Sequence, residues 1–368
     1  MRIAFRRAWV IVAYTACAGP IFVAFLQRPG NPDNLEGRRL TVMLDGTGER
    51  PFVFRTLLPS TVRLIRATLP DSAKRALADF ASTCAPLARL FATTPAAEHR
   101  DPVTYLIAYG LEWCCLVAFA LALRAAARHF YPRGTALVDL LPIAALLALP
   151  VFFRYTSFDY DFPQLFLFTL TMLMLARRRW TWFYPLLVLC GFNKETSLLL
   201  VVIHVLGHAV TMPRRQLLLH AAVQVALLLG IRLFLQFVLF ADNPGRPVEV
   251  WIVRNWERVT DPARWRFVFW HFLPVGRSSI RIPAASNVLY LALIPLLFWR
   301  WSRKPIFLRR AFWIAPLLGI LIFCCGYVDE LRAAYEAYPI VLLLLSGSFV
   351  RKSTEPPLLA IAGPTQTG

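Results

Sequence analysis

Apolar residues gather in ten stretches: Ala8–Leu26, 103–123, 135–153, 162–176, 183–192, 197–212, 216–240, 287–298, 311–327 and 338–350. A helix of about 20 apolar residues reaches across the roughly 30 Å of hydrocarbon in a bilayer. The pattern therefore predicts an all-α polytopic membrane protein with about ten membrane-embedded helices. A different period occupies 72–91, where Leu77, Phe80, Ala81, Cys84, Leu87, Ala88 and Phe91 recur every three or four residues and Lys74, Arg75 and Asp79 take the other face. That spacing predicts an amphipathic helix, lying on the membrane surface or packing as a small cap on the bundle.

One interruption stands out. Between 183 and 210 the apolar run is broken by Asn193-Lys194-Glu195-Thr196-Ser197. Each charge at a bilayer centre costs about 2.5–3.5 kcal/mol on insertion scales, so such groups belong where they pair or line a wet cavity. From Trp180 to Phe192 a helix spans only about 20 Å. The stretch therefore reads as a turn between two short helices that both return to the same side, with the motif at the apex.

Charge sets the orientation. The net charge is +19, and the basic residues cluster in alternate connections: Arg2, Arg6 and Arg7; Arg124, Arg128 and Arg133; Arg177, Arg178 and Arg179; Arg214 and Arg215; Arg300 to Arg310; Arg351 and Lys352. The positive-inside rule puts these connections and both termini in the cytoplasm. On this map 1–350 is a single transmembrane domain with a first outer loop at 27–102, holding the amphipathic helix, and a second at 241–283. The tail 351–368 is cytoplasmic and disordered. Ala16-Cys17-Ala18 resembles a signal-peptidase site, but the apolar run continues past it, favouring an uncleaved anchor.

Composition narrows the function classes. At 58% hydrophobic residues and a mean hydropathy of +0.54, the lipid bilayer is the first partner, and nucleic acid is excluded because no basic cluster carries base-stacking aromatics on a soluble platform. Seven cysteines without a CxxC spacing suggest neither a disulfide framework nor a metal centre. His204 and His208 share a helix face, yet no carboxylate accompanies them, so helix packing is the favoured reading and no metal ligands are assigned. Asp45-Gly46-Thr47-Gly48 resembles half of an aspartic-protease site, without the second copy that chemistry needs.

The concentrated polar residues fall on the side opposite the basic clusters. They are Asp45 and Glu49, Asp159 and Asp161, Lys194 and Glu195, and the stretch from Asp329 to Glu336. Four such groups converging on one membrane face would build a site. The sequences Pro51-Phe52-Val53-Phe54-Arg55-Thr56-Leu57-Leu58-Pro59, Tyr160-Asp161-Phe162-Pro163, Asn193-Lys194-Glu195-Thr196, Glu330-Leu331-Arg332 and Glu336-Ala337-Tyr338-Pro339 together resemble a set found in bacterial polytopic proteins similar to the GT-C glycosyltransferase superfamily. Its third motif commonly reads Asn-Arg-Glu-Thr; Lys194 keeps the charge of that arginine without its planar fork.

The resemblance implies a GT-C-like fold in the bacterial inner membrane and a glycosyltransferase that moves a sugar from a polyprenyl-phosphate donor to a glycan or lipid acceptor at the outer face. Such chemistry needs a carboxylate to take the acceptor proton and cations to hold the departing phosphate. On this reading Asp45 is the base with Glu49 as its substitute, and Arg55, Lys194 and Arg332 bind the donor phosphate. Asp159, Asp161, Asn193, Glu195 and Glu336 form the supporting polar network. The lipid-linked sugar is a substrate rather than a cofactor, and dependence on a divalent metal is left open. Two other readings use the same charges: a lipid or glycan transporter or flippase, and a non-catalytic component of envelope polysaccharide assembly.

Overall fold

The structure is a computed structural model that describes residues 2–26, 36–38, 40–85, 87–88, 102–132, 135–153, 158–262, 270–275, 278–283, 292–328 and 330–349. Asp329 and the tail 351–368 lie outside the described residues, as do parts of the expected amphipathic helix and of the 287–298 helix. The described chain is helical apart from one hairpin. Its first half contains α1 (Arg2–Leu26), α2 (Leu40–Asp45), α3 (Leu57–Thr68), α4 (Asp71–Thr83), α5 (Pro102–Phe130), α6 (Thr135–Ala148) and α7 (Asp161–Ala176). Then follow α8 (Trp180–Asn193), α9 (Leu199–His208), α10 (Arg214–Phe234), α11 (Ile252–Thr260), the antiparallel pair β1 (Trp270–Val275) and β2 (Ser278–Pro283), α12 (Leu293–Phe298), α13 (Ile306–Ala311), α14 (Ile314–Cys325) and α15 (Tyr338–Gly347).

Helix α5 is the centre of the bundle, packing along α7 and against α1, α3, α4 and α6. Its buried positions include Ala108, Ala120, Ala126 and Ala127; small side chains let helix axes approach, which matters where lipid competes for every apolar surface. Helix α8 packs between α7 and α10, while α9 packs on α10 and α13. At Gly207 an added Cβ would come within 2.7 Å of the Phe307 ring, so the α9–α13 contact requires glycine there.

Among the described residues, four helical stretches are long and apolar enough to cross a membrane: Ala8–Leu26, Pro102–Phe130, Arg214–Leu239 and Ile306–Cys325. Shorter apolar helices cover Ala136–Phe152, Asp161–Ala176, Glu195–His208 and Tyr338–Gly347. Few residues of Arg214–Leu239 are buried; Leu218, Leu219, Phe237 and Val238 face outward from it. An apolar surface of that extent suits lipid.

The basic connections meet at one end of the bundle. Arg177 donates to the Ala125 carbonyl at 3.5 Å, Arg178 to that of Thr211 at 2.8 Å and Arg310 to that of Leu206 at 3.5 Å. Several of these carbonyls lie at or near helix C-termini, where cations complete unsatisfied acceptors and oppose the helix dipole. Helix α7 then runs about 24 Å, at 1.5 Å per residue, from that end to Asp161 at the other.

Two local features add to the expected map. Helix α3 was not anticipated, although Leu58 and Val62 bury one of its faces while Arg63 and Arg66 are exposed on the other; proline at its third position masked the pattern. Among its described residues, the expected second loop, 241–283, holds α11 and the hairpin. It is tied to the first loop, since Arg50 N donates to Pro244 O at 2.8 Å, Asn243 Nδ2 donates to Gly46 O and Gly48 O at 2.8 and 2.9 Å, and Arg38 pairs with Glu249 at 2.8 Å. Gly245 sits at φ +90°, where a Cβ would lie 2.6 Å from Arg50 O, so glycine is needed on both counts.

Candidate functional site

The break between α8 and α9 is built by its own side chains. Lys194 is extended (φ −161°, ψ 140°) and ends α8. Ser197 Oγ lies 2.7 Å from both the Cys190 and the Lys194 carbonyls. A hydroxyl has one proton to give, so it serves these two acceptors in alternation or shares it between them. A 3₁₀ turn over Glu195–Leu198 then restarts the helix. Two short helices meeting at this motif is the arrangement the apolar spacing predicts.

Each charge in the motif crosses to a different part of the chain. Lys194 Nζ donates to Glu336 Oε1 at 3.0 Å, and both side chains are buried. The same oxygen accepts from Gln164 Nε2 at 3.1 Å and, at short range, from Thr196 Oγ1. Gln164 Oε1 in turn accepts from Asn193 Nδ2 at 3.0 Å, which also donates to the Tyr160 carbonyl at 3.1 Å. A buried carboxylate with three donors on one oxygen is a paired charge rather than a lone one, while its Oε2 and the Asn193 Oδ1 are buried without a hydrogen-bond partner among the described residues.

Glu195 points the opposite way, to Arg55: Nη2 reaches Oε1 at 2.7 Å and Nε reaches Oε2 at 3.4 Å. Arg55 Nη1 also donates to Tyr160 Oη, and its guanidinium lies 4.2 Å from the centre of the Tyr160 ring. Arg332 completes the group, with Nε 2.6 Å from Glu330 and Nη1 3.4 Å from Asp161, stacked 4.1 Å over the Phe158 ring. Burial works against the charge of Arg55, but Glu195 and Tyr160 together outweigh it and hold the guanidinium above its ordinary range. For Arg332, burial is likewise overcome, with the Glu330 and Asp161 carboxylates among the groups that raise it. Burial pushes the Tyr160 phenol up, so it stays neutral while its oxygen accepts from Arg55 and Arg332.

These groups border a cavity of about 430 Å³. Arg55, Lys194, Arg232 and Arg332 bring cations to it, and Glu195, Glu249 and Glu330 bring carboxylates. Leu198, Val202, Leu317, Leu321 and Ile322 supply an apolar wall. The arrangement is amphiphilic, with a charged end joined to a hydrocarbon side.

The predicted residues divide accordingly. Arg55, Lys194, Glu195 and Arg332 line the cavity; Asp161 and Glu336 stand behind them as partners of Arg332 and Lys194, and Asn193 holds the Tyr160 carbonyl and Gln164. Asp159 lies against Glu112, a buried carboxyl of α5, outside the cavity lining. The two expected bases are not part of that lining either: Asp45 is exposed at the end of α2, and Glu49 lies 3.7 Å from Arg38. The first loop enters the site through Pro51, Phe52 and Arg55 instead.

Four members of the site went unassigned in the sequence. Arg232 had a legible signal, an arginine inside an apolar helix, which membrane helices keep mainly for cavities. It stacks 4.1 Å over Phe54 and donates to the Pro247 carbonyl. Gln164 sits one turn into α7 and gave a weaker signal of the same kind, while Glu249 and Glu330 are carboxylates of connections. His204 and His208 are held by packing: His204 by Gln224, His208 by the Leu175 carbonyl at 3.1 Å, beside Trp180 and His220. Among the described residues no group of three or more His, Cys, Asp or Glu is placed to hold a metal ion. Comparison of the chain with protein-family models, curated proteins and solved structures finds no match.

Proposed function

We propose that this chain is a GT-C-like glycosyltransferase of the bacterial inner membrane, with about ten membrane-embedded helices, that transfers a sugar from a polyprenyl-phosphate donor to a glycan or lipid acceptor at the outer face. The observation that carries the reading is the amphiphilic cavity: four cations at one end, beside an apolar wall that continues along α9 and α14. A lipid phosphate bearing a sugar has that same division of chemistry.

In this mechanism the isoprenoid lies along Leu198, Val202 and Leu321, and the phosphate meets Arg55, Arg232 and Arg332. Lys194, fixed by Glu336, adds a fourth positive charge. Glu330 replaces Asp45 as the proposed base, because it lines the cavity and its partner Arg332 borders the phosphate position. The acceptor hydroxyl loses its proton to Glu330 as its oxygen bonds to the sugar's anomeric carbon. The bond from that carbon to the phosphate oxygen breaks, and its electron pair leaves on the phosphate. The arginines stabilise the charge that grows there.

One observation favours a second reading. Glu195, Glu249 and Glu330 are each already paired with an arginine, and ion pairs across a cavity also suit the gate of a lipid or glycan transporter. Release of free polyprenyl phosphate from a polyprenyl-phosphate sugar separates the two, because transport leaves that bond intact.

A further inference from the structure

A second cavity, of about 720 Å³, lies at the opposite end of α14 among Phe298, Trp301, Arg309, Arg310, Phe312 and Trp313. Its walls are aromatic: Trp301 packs against Phe298 and Phe312 with ring centres 5.2 and 5.6 Å apart. Its location follows from Arg310, which reaches the Leu206 carbonyl near the C-terminus of α9, at the end where the other basic connections gather. Trp299 and Trp313 are 59% and 62% exposed there, as expected of side chains at a membrane–water boundary.

The electrostatics of this cavity are one-sided. Arg300, Arg303, Arg309 and Arg310 occur within a few residues, and the chain contains no acidic residue between Asp261 and Asp329. Lys304 is already committed, capping the Leu297 carbonyl of α12. Arg309 is different: its Nε is shielded from solvent and has no hydrogen-bond partner among the described residues. Shielded donors in native proteins are normally satisfied, so this one lacks an acceptor. An anionic oxygen entering the cavity would meet two guanidinium groups, while hydrocarbon attached to it would meet Phe298, Phe312 and Trp313.

We propose that this cavity binds the headgroup phosphate of an anionic phospholipid, with Arg309 and Arg310 on the phosphate and the aromatic walls on the acyl chains. The inference goes beyond glycosyl transfer and needs only that the apolar helices lie in a bilayer. Basic pockets between membrane helices recognise anionic lipid headgroups in this way. The chemistry it shares with free phosphate is the anion; the acyl contacts distinguish the lipid.

Full-length protein is purified in neutral detergent and titrated, by native mass spectrometry, with phosphatidylglycerol, phosphatidylcholine or inorganic phosphate. The expected result is one phosphatidylglycerol retained per chain in preference to phosphatidylcholine. Affinity for phosphatidylglycerol should fall about fivefold in Arg309→Gln and about 25-fold in Arg309→Gln/Arg310→Gln, from roughly 1 kcal/mol per basic residue near an anionic surface. Arg309→Lys should lie between wild type and Arg309→Gln. Equal retention of both lipids, unchanged affinity in the double variant, or full displacement by millimolar phosphate would overturn the proposal. If the double variant does not fold, salt dependence in wild type decides: retention of phosphatidylglycerol must weaken as salt rises, and salt-independent retention counts against the site.

Discussion

Arg55 and Glu195 face each other through two contacts, at 2.7 and 3.4 Å, that join segments 140 residues apart. The pair fixes the first loop to the apex between α8 and α9, and both side chains border the cavity. Because Glu195 retains 40% side-chain exposure, solvent screens the pair and its coupling is modest. A double-mutant cycle with Arg55→Ala and Glu195→Ala, read by thermal unfolding in detergent, should give about 1 kcal/mol of coupling. Arg55→Lys should lose much of it, because the second contact needs the guanidinium fork.

Lys194 and Glu336 form the buried counterpart, and the expected outcome is correspondingly larger. Glu336→Ala leaves an ammonium without its counter-ion and removes the acceptor of Gln164 and Thr196. Stability should fall by about 3–5 kcal/mol. Lys194→Met/Glu336→Leu should be less destabilised than Glu336→Ala alone, as chemical denaturation of the two variants would record.

The pH response follows from directions already given. Arg55 is raised above the ordinary arginine value in the folded chain by Glu195 and Tyr160 against the opposing effect of burial. Its stabilising contribution is therefore fully present below that value and is lost only as pH climbs through the still higher folded value. Arg332 behaves alike, and the Tyr160 phenol is shifted upward. Binding of a polyprenyl-phosphate sugar, a phosphodiester with no ionisation of its own in this range, should accordingly show no titration from these three groups between about pH 6 and 9, where arginine and tyrosine keep their protons. A step in binding isotherms over that range, surviving in variants of other cavity residues, would count against their assigned protonation.

Orientation has its own test. Arg178 is exposed at the basic end, and Thr47 is exposed beside the two joined loops. In intact inner-membrane vesicles of known sidedness, Thr47→Cys should react with an impermeant maleimide from the outer side and Arg178→Cys from the cytoplasmic side only. Labelling of both from one side would require a different map.

Much of the helical order was legible because apolar runs and basic punctuation are both local signals. Asn193-Lys194 was readable as a break, since the run on either side is too short to carry the charge alone. What escaped depended on tertiary placement. Asp45 looks catalytic as a carboxylate before the Pro51–Pro59 motif, yet α2 leaves it exposed, and Glu249, from the second loop, reaches the cavity with Arg38 as its partner. Loop-to-loop ties such as Arg50 on Pro244 have no periodic signature, so nothing along the chain announced which carboxylate would enter the site.

The most direct test uses full-length protein in proteoliposomes supplied with a radiolabelled polyprenyl-phosphate sugar and a glycan acceptor, with free polyprenyl phosphate measured over time. The account predicts release by wild type, loss of at least about 100-fold in Glu330→Gln, in line with the weight of a general base, and near wild-type release in Asp45→Asn. Sugar crossing the membrane still attached to its lipid, or turnover that survives Glu330→Gln and fails in Asp45→Asn, would contradict it.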